Sequence, residues 1–431
     1  MAGHLRYYGL TLSNLRMKHQ TAERRPSGNI GPIKGALFLA IPLLAFAALL
    51  EFAAGRYLES RLPGFDLAVQ GLGQMASSGY QLWEHPAGYR SWSGQTRFNN
   101  HGFRRTQDTT TVKAGGTIRV FFMGGSAALG SQANTKTPYY RMSGQGEYSN
   151  DETISAHLER LWSERFPGQR VEVINAATNW TQLHQQFIHY HRKLKSLQPD
   201  LVISMDGQND ALLLDEHRLN VWDAATIKAH LLESDFRIRA RPLLTRSKAL
   251  YLGAILMFGS GQSGRVKPDL ELVNEYKDRA PRGDANALDA SFYAANKRTV
   301  DRVVDEYAQN LLHFNDSLKR DGVRGLFLLQ PELIMDKSKP LTDIERAIRN
   351  HMLLSDRGFE VNFFSQVEQK GQALRASDNL PFFSLLQAFD GITGEVYTDY
   401  CHMTPSGNEL LAGKLLAIIE KKYPELFSAS R

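Results

Sequence analysis

Residues 117–130 read TIRVFFMGGSAALG. The first eight form a β-branched and aromatic apolar run ended by glycine, the pattern of a buried strand. A Gly-Gly-Ser turn and a run of small residues follow, so a strand passes into a helix with Ser126 at the corner. Two more such runs lie downstream, VEVIN at 171–175 and LVISMDG at 201–207. Between them, the segment from Asn150 or Asp151 (as cap) to about Phe166 carries Ile154, Leu158, Leu161 and Trp162 on one helical face, and Thr181–Leu197 also reads as a helix. This β-α-β-α-β order predicts an α/β fold with a doubly wound, mostly parallel sheet. RGLFLLQP (324–331) supplies a fourth strand, and FEVNFFSQ (359–366) is expected to be another. Helices are expected over 287–320 and 342–353, with a last one from Pro405 through Lys421.

Working outward, residues 211–285 break the alternation and read as an insertion. It holds an expected helix at 224–234, the basic stretch RIRARPLLTRSK (237–248) and the Gly/Ser-rich GSGQSGR (259–265). Upstream, residues 55–115 read as a linker and a packed-on segment, including an Asn- and Gly-rich turn in RFNNHGFRR (97–105). The sheet-bearing domain is expected over 116–431.

The start of the chain is asymmetric in charge. Residues 1–34 carry Arg6, Arg16, Lys18, Arg24, Arg25 and Lys34 against Glu23 alone. GALFLAIPLLAFAALL (35–50) has no charge, and extending it through residue 54 makes a transmembrane span if Glu51 lies at headgroup level. The basic flank predicts a cytoplasmic N-terminus and places the rest of the chain across the inner membrane, with the bilayer as a partner. A cleaved signal peptide and a buried core helix are the alternatives.

Composition sets outer limits. The 431 residues are 42% hydrophobic and 22% charged, which is ordinary for a globular protein. The net charge of +6 comes without a dense Lys/Arg run, so nucleic acid is not expected as a partner. Cys401 is the one cysteine, which excludes an intrachain disulfide and a cysteine-based zinc site.

Four segments carry chemistry. Three follow strands and should converge where ligands bind in parallel sheets, beyond the carboxyl ends. FFMGGSAALG exposes Ser126 on a tight turn; it lacks the Gly-Lys-Ser/Thr of a phosphate-binding loop. NAATNWT (175–181) offers a backbone N–H, or simply leads into a helix with Thr178 or Asn179 capping. GQND (207–210) offers the Asn209 amide, or a plain turn. DYCHMTPSGN (399–408) sets Asp399 three residues before His402, a spacing that lets a carboxylate meet an imidazole if the loop is turn-like.

Together and in this order, these segments resemble the SGNH (GDSL-type) hydrolase family, in its membrane-anchored bacterial form, over about 117–425 apart from the 211–285 insertion. Ser126 matches the block I serine, with Gly125 where many members have Asp. NAATNWT holds the block II position, with Trp180 at about the place of the usual N–H-donating glycine. Asn209 matches the block III asparagine, and Asp399 and His402 match the block V pair. FNNHGFR (98–104) is similar to an Asn-x-x-Gly-Phe-Arg element ahead of block I. The resemblance implies a flavodoxin-like sheet and a serine esterase with Ser126 as nucleophile, His402 as base and Asp399 orienting it. The implied oxyanion donors are the Ser126 N–H, the Trp180 or Asn179 N–H and the Asn209 amide, with no cofactor and no metal. The expected substrate is an acylated carbohydrate or other ester, with O-acyl groups of an envelope or exported polysaccharide foremost. The alternatives are an acyltransferase using the same triad and a silent scaffold or binding subunit of an envelope assembly.

Other residues carry less. His184, His189 and His191 share one expected helix, but their spacing does not suit a helical metal site, and exposed or half-buried polar positions are expected. Cys401 is expected to pack as a small residue. Trp180 is a pocket wall, a core residue or a stacking platform for a sugar ring.

Overall fold

The computed structural model describes residues 32–61, 76–78, 81–91, 94–131, 148–179, 181–211, 247–258, 285–335, 338–351 and 354–428. The apolar run at 117–124 is strand β1 (Thr117–Gly124) of a five-stranded sheet. The other strands are β2 (Arg170–Asn175), β3 (Leu201–Asp206), β4 (Arg324–Leu329) and β5 (Phe382–Ser384). Every pairing is parallel, and the spatial order is β2-β1-β3-β4-β5. The chain therefore winds first to one side of β1 and then to the other, and the strand order reverses between β1 and β3.

The alternation of side chains along β1 shows why its 120–123 run is apolar without a break. Val120 and Phe122 enter one core, with Leu158 and Trp162 of α3 (Ile154–Arg165) and Leu411, Leu415 and Ile419 of α10 (Pro405–Lys422). Phe121 and Met123 enter the other. There they meet Leu183 of α4 (Leu183–His189), Val303 and Phe314 of α7 (Ala285–Arg320), and Phe363 and Phe364 of α9 (Leu354–Ser377). A stretch buried on both faces has no polar side, as parallel sheets covered by helices require, and the one charge in the strand, Arg119, lies before it, paired with Glu172.

Several elements differ from their sequence reading. FEVNFFSQ is not a strand but part of α9. Its local aromatic and β-branched content suggests a strand, yet Glu360, Val361, Phe363, Phe364 and Val367 are buried together at helical spacing. The strand that completes the sheet is the three-residue β5. Thr181–Leu197 is not one regular helix: α4 gives way to a π-turn at Tyr190–Leu194 and a 3₁₀ turn at Lys195–Leu197. The cap of α3 is Thr153, whose side chain accepts from the Ala156 N–H, while Asn150 and Asp151 lie in a preceding 3₁₀ turn. The expected helix at 224–234 lies outside the described residues, whereas α6 (Lys248–Phe258) and the first part of α7 flank it on the C-terminal side.

Contacts divide the chain into Met1–Phe52 and Ala53–Arg431. Helix α1 (Pro32–Arg61) runs through this division. Its Ala40–Tyr57 stretch is long and apolar enough to cross a membrane, the one such helix among the described residues. Within α1, Phe38, Leu44, Leu49 and Phe52 are exposed, Phe38 by 80%.

Candidate active site

Ser126 follows β1 directly and opens the four-residue helix α2 (Ser126–Leu129). Ala127, Ala128 and Leu129 anchor this short helix in the core, leaving Ser126 half-buried at its start. A residue at a helix start has no intrahelical partner for its N–H, so the Ser126 N–H points out of the turn.

The His402 loop is built by its own aspartate. Tyr397 and Met403 form an antiparallel bridge, and the Thr398 N–H donates to the His402 carbonyl at 2.8 Å. Inside this loop Asp399 Oδ1 accepts from the Cys401 N–H at 2.8 Å and from the His402 N–H at 2.7 Å. A carboxylate accepting from main-chain N–H groups two and three residues on is a turn-forming device. It also explains the spacing: the same turn swings the imidazole back, and Asp399 Oδ2 meets His402 Nδ1 at 2.7 Å. His402 Nε2 in turn lies 2.8 Å from Ser126 Oγ. Residues 276 positions apart in the chain thus form one hydrogen-bonded line.

Asp399 is fully buried. Burial by itself pushes its carboxyl up, but the His402 ring and the main-chain N–H groups outweigh that and hold it below the usual carboxylate range. An ionised Asp399 accepts a hydrogen bond from Nδ1–H, leaving Nε2 as the acceptor that faces the serine. Cys401 is buried with its Sγ 3.4 Å from His402 Nδ1. Donor atoms of Asp399, Cys401 and His402 lie within 4.8 Å of one another. The carboxylate and ring nitrogen are hydrogen-bonded to each other, so the trio is an Asp–His pair with a thiol packed beside it.

The GQND loop leaves β3 beside this line. Its register pairs Met205 with Gly124, so the two loops emerge at the same sheet edge, at the reversal of strand order. The Asn209 Nδ2 donates to the Thr181 carbonyl at 2.9 Å, which fixes the amide and leaves its second N–H for another acceptor. A Cβ placed on Gly125 would stand 2.3 Å from that Nδ2. The bare α-carbon of Gly125 is therefore the space the Asn209 amide occupies.

NAATNWT is tied to the serine turn from the other side. The Thr178 N–H and the Thr181 hydroxyl both donate to the Gly124 carbonyl, at 3.0 and 3.2 Å. Asn179 Oδ1 accepts from the Ser131 hydroxyl at 2.6 Å. Neither Thr178 nor Asn179 caps the following helix; Gln182 does. Trp180 lies outside the described residues.

Three supports are not readable from local sequence. Gln182 Nε2 donates to the Asn209 carbonyl at 3.0 Å, and Asp210 Oδ1 accepts from the Leu183 N–H at 3.1 Å, stitching the loops after β2 and β3 together. Burial, with the nearby Asp206 carboxyl adding to it, raises Asp210 well above the usual range. The third support is the pair Lys339–Glu345, 2.5 Å apart and wholly buried. Glu345 Oε1 accepts from the Val396 and Tyr397 N–H groups at 3.0 and 3.2 Å, and Lys339 Nζ donates to the Gly394 carbonyl at 2.9 Å. The pair thus holds the chain leading into Asp399. Lys339→Met leaves Glu345 as an uncompensated buried charge and should lower unfolding stability by about 3–5 kcal/mol. Denaturant unfolding checks this, and an unchanged midpoint would contradict it.

The histidines of α4 and its continuation correct the expectation in part. His184 and His191 are exposed, and His191 Nε2 lies 3.0 Å from Ser317 Oγ. His189 instead is fully buried, tilted against Phe103, and burial lowers it to about 3, so it is a neutral core residue. A groove of about 730 Å³ along α7, lined by His184, Arg298, Asp301, Arg302, Glu306 and His313 among others, includes none of Ser126, Asp399 and His402.

No protein-family model matches the chain, and no curated protein sequence matches it. Solved structures similar to it include Axe2, an acetylxylan esterase from Geobacillus stearothermophilus, at 13% identity and TM-score 0.35, covering 75% of this chain and 100% of that one. Another is the acetyl xylan esterase AlAXEase, at 11% identity and TM-score 0.34, covering 70% and 100%. A third is an alpha/beta hydrolase enzyme from the metagenome of Lake Arreo, Spain, at 13% identity and TM-score 0.32, covering 72% and 96%. At that distance the chemistry of the site rests on this chain's own residues.

Proposed function

We propose that the chain is a membrane-anchored serine esterase of SGNH type that removes O-acyl groups from an envelope or exported polysaccharide. The observation that carries this reading is the line Asp399–His402–Ser126, with hydrogen bonds of 2.7 and 2.8 Å. A serine hydroxyl on an imidazole whose far nitrogen faces a buried carboxylate is arranged for attack on a carbonyl. A silent scaffold has no need of a half-exposed serine at the end of such a line. The bilayer and the side of the membrane are assigned from α1 and its basic flank, with residues 35–54 as the span and the hydrolase domain across it.

In this reading Ser126 Oγ attacks the ester carbonyl while His402 Nε2 takes its proton. The tetrahedral oxyanion is met by the Ser126 N–H, the Asn209 amide and the Trp180 or Asn179 N–H. Collapse releases the alcohol of the glycan, protonated by His402, and leaves an acyl-Ser126. Water, deprotonated by His402, then attacks the acyl-enzyme, releases the carboxylic acid and returns the serine. A sugar hydroxyl in place of water would complete acyl transfer instead.

The test is acid release from an O-acetylated glycan by the full chain in membranes or detergent, with and without a non-acetylated acceptor. Free acetate as the main product is the expected result; acetyl appearing on the acceptor would make the enzyme a transferase, and neither product would overturn the reading. Asn209→Ala should lower kcat by about 10²–10³ with little effect on KM, because the amide acts on charge that develops only in the transition state. Steady-state kinetics on a small aryl acetate measure this; an unchanged kcat would remove Asn209 from the oxyanion site.

A further inference from the structure

The turn FNNHGFR plays no direct part in the line of three, yet it is folded with care. Asn99 Oδ1 accepts from the His101 and Phe103 N–H groups at 2.9 and 3.1 Å. Gly102 sits at φ +75°, and a Cβ there would meet the His85 carbonyl oxygen at 2.2 Å. This turn delivers Phe103 to the core and Arg104 to a buried position behind the serine.

The Arg104 guanidinium serves two segments at once. Its Nη1 donates to the carbonyls of Leu129 and Gly130 at 3.1 and 2.7 Å, the C-terminal end of the helix that Ser126 opens. Its Nη2 donates to the Tyr148 carbonyl at 2.7 Å, and its Nε to Asn150 Oδ1 at 3.3 Å. Tyr148, itself buried, reaches on: its hydroxyl donates to the Met403 carbonyl at 2.9 Å, the residue after His402. A continuous path thus runs from the serine helix through Arg104 and Tyr148 to the histidine loop. Asn175 braces the first end, its Nδ2 donating to the Ala128 and Leu129 carbonyls at 3.2 Å each while its own carbonyl accepts from the Arg104 N–H at 2.9 Å.

We propose that Arg104, acting through Tyr148, is a positioning residue that fixes the separation of Ser126 and His402. A planar fork serves carbonyls on both sides from separate nitrogens at fixed angles, a geometry the single nitrogen of a lysine ammonium does not reproduce. Reaction rate is steep in that separation, since a displacement of about 1 Å can cost about 10²-fold. The proposal deepens the hydrolase reading and rests on it.

The experiment uses the full chain and four variants: Tyr148→Phe, Arg104→Lys, both together, and Arg104→Gly with added guanidinium. Tyr148→Phe removes one hydroxyl and keeps the ring in the core, so it is the variant expected to fold. It should lower kcat by about 10–10² with KM changed less than about twofold, and Arg104→Lys should do the same. The double variant should be no slower than the slower single one, because both cut one path. Guanidinium should restore turnover to Arg104→Gly. A folded Tyr148→Phe with native kcat, or guanidinium that raises the melting temperature of Arg104→Gly without raising kcat, would overturn the proposal. If the wild type itself neither turns over ester nor labels with a fluorophosphonate, the hydrolase reading fails, and positioning is read from the His402 imidazole N–H resonance. That resonance should shift in Tyr148→Phe; an unmoved signal would refute the positioning role separately.

Discussion

Ser126→Ala is expected to abolish turnover of a small aryl acetate, by roughly 10⁶ in kcat, and to leave the fold intact. The expectation has two halves with separate physical grounds. Chemically, the variant loses the only atom that forms the covalent bond to the acyl group, and the imidazole keeps no oxygen to activate. Structurally, α2 is held by Ala127, Ala128 and Leu129 in the core and by the Leu129 N–H donating to the Gly125 carbonyl at 3.0 Å. None of these uses the Ser126 hydroxyl, whose partner is His402 Nε2. Removing it from a half-exposed position should change stability by less than about 1 kcal/mol. Kinetics and a thermal melt on one preparation check both halves; native turnover by a folded Ser126→Ala would take Ser126 out of the mechanism.

The second large effect concerns Asp399. Asn at this position keeps an oxygen for the Cys401 and His402 N–H groups, so the loop should still form. What it loses is the charge facing Nδ1. The amide can present an N–H there, which turns the imidazole to the tautomer with its proton on Nε2, facing the serine the wrong way. A loss of about 10⁴ in kcat follows. His402→Ala should be at least as severe, since the base itself is gone. A pH signature accompanies this. Asp399 is held below the usual carboxylate range, mainly because the neighbouring imidazole and N–H groups outweigh its burial. Between its folded and unfolded values the unfolded chain binds more protons, so this carboxylate stabilises the fold at neutral pH. That contribution is lost as the pH falls through the folded value. Asp399→Asn should therefore flatten the acid limb of the stability curve as well as cut kcat; turnover within about tenfold of the wild type would contradict the orienting role.

How far the sequence reaches is clear from particular residues. Strands β1, β2, β3 and β4 stand out because both faces of the sheet are covered, so each is a short, mostly apolar run between polar or glycine-bearing turns. The Asp-x-x-His segment was legible as a pairing because the turn that joins the two is made by Asp399 itself, within four residues. The strand expected at 359–366 was misread because its local alternation is strand-like, whereas the helical burial of Val361, Phe364 and Val367 emerges only over a longer window. Strand β5 is three residues long, too short to carry a period. Long-range supports leave no local trace: the Arg104 side chain meets Tyr148 across 44 positions, and Glu345 meets Val396 across 51. Gly125 against Asn209 is of the same kind, since a glycine that makes room for a distant amide looks like any other glycine in a turn.

The most direct measurement is mass spectrometry of the full chain after reaction with a fluorophosphonate. A single adduct on the peptide carrying Ser126, formed in the wild type and missing in Ser126→Ala and strongly slowed in His402→Ala, is the predicted result. A folded wild type that stays unlabelled, or that carries the adduct on another side chain, would contradict the claim that His402 and Asp399 arm Ser126 as a nucleophile.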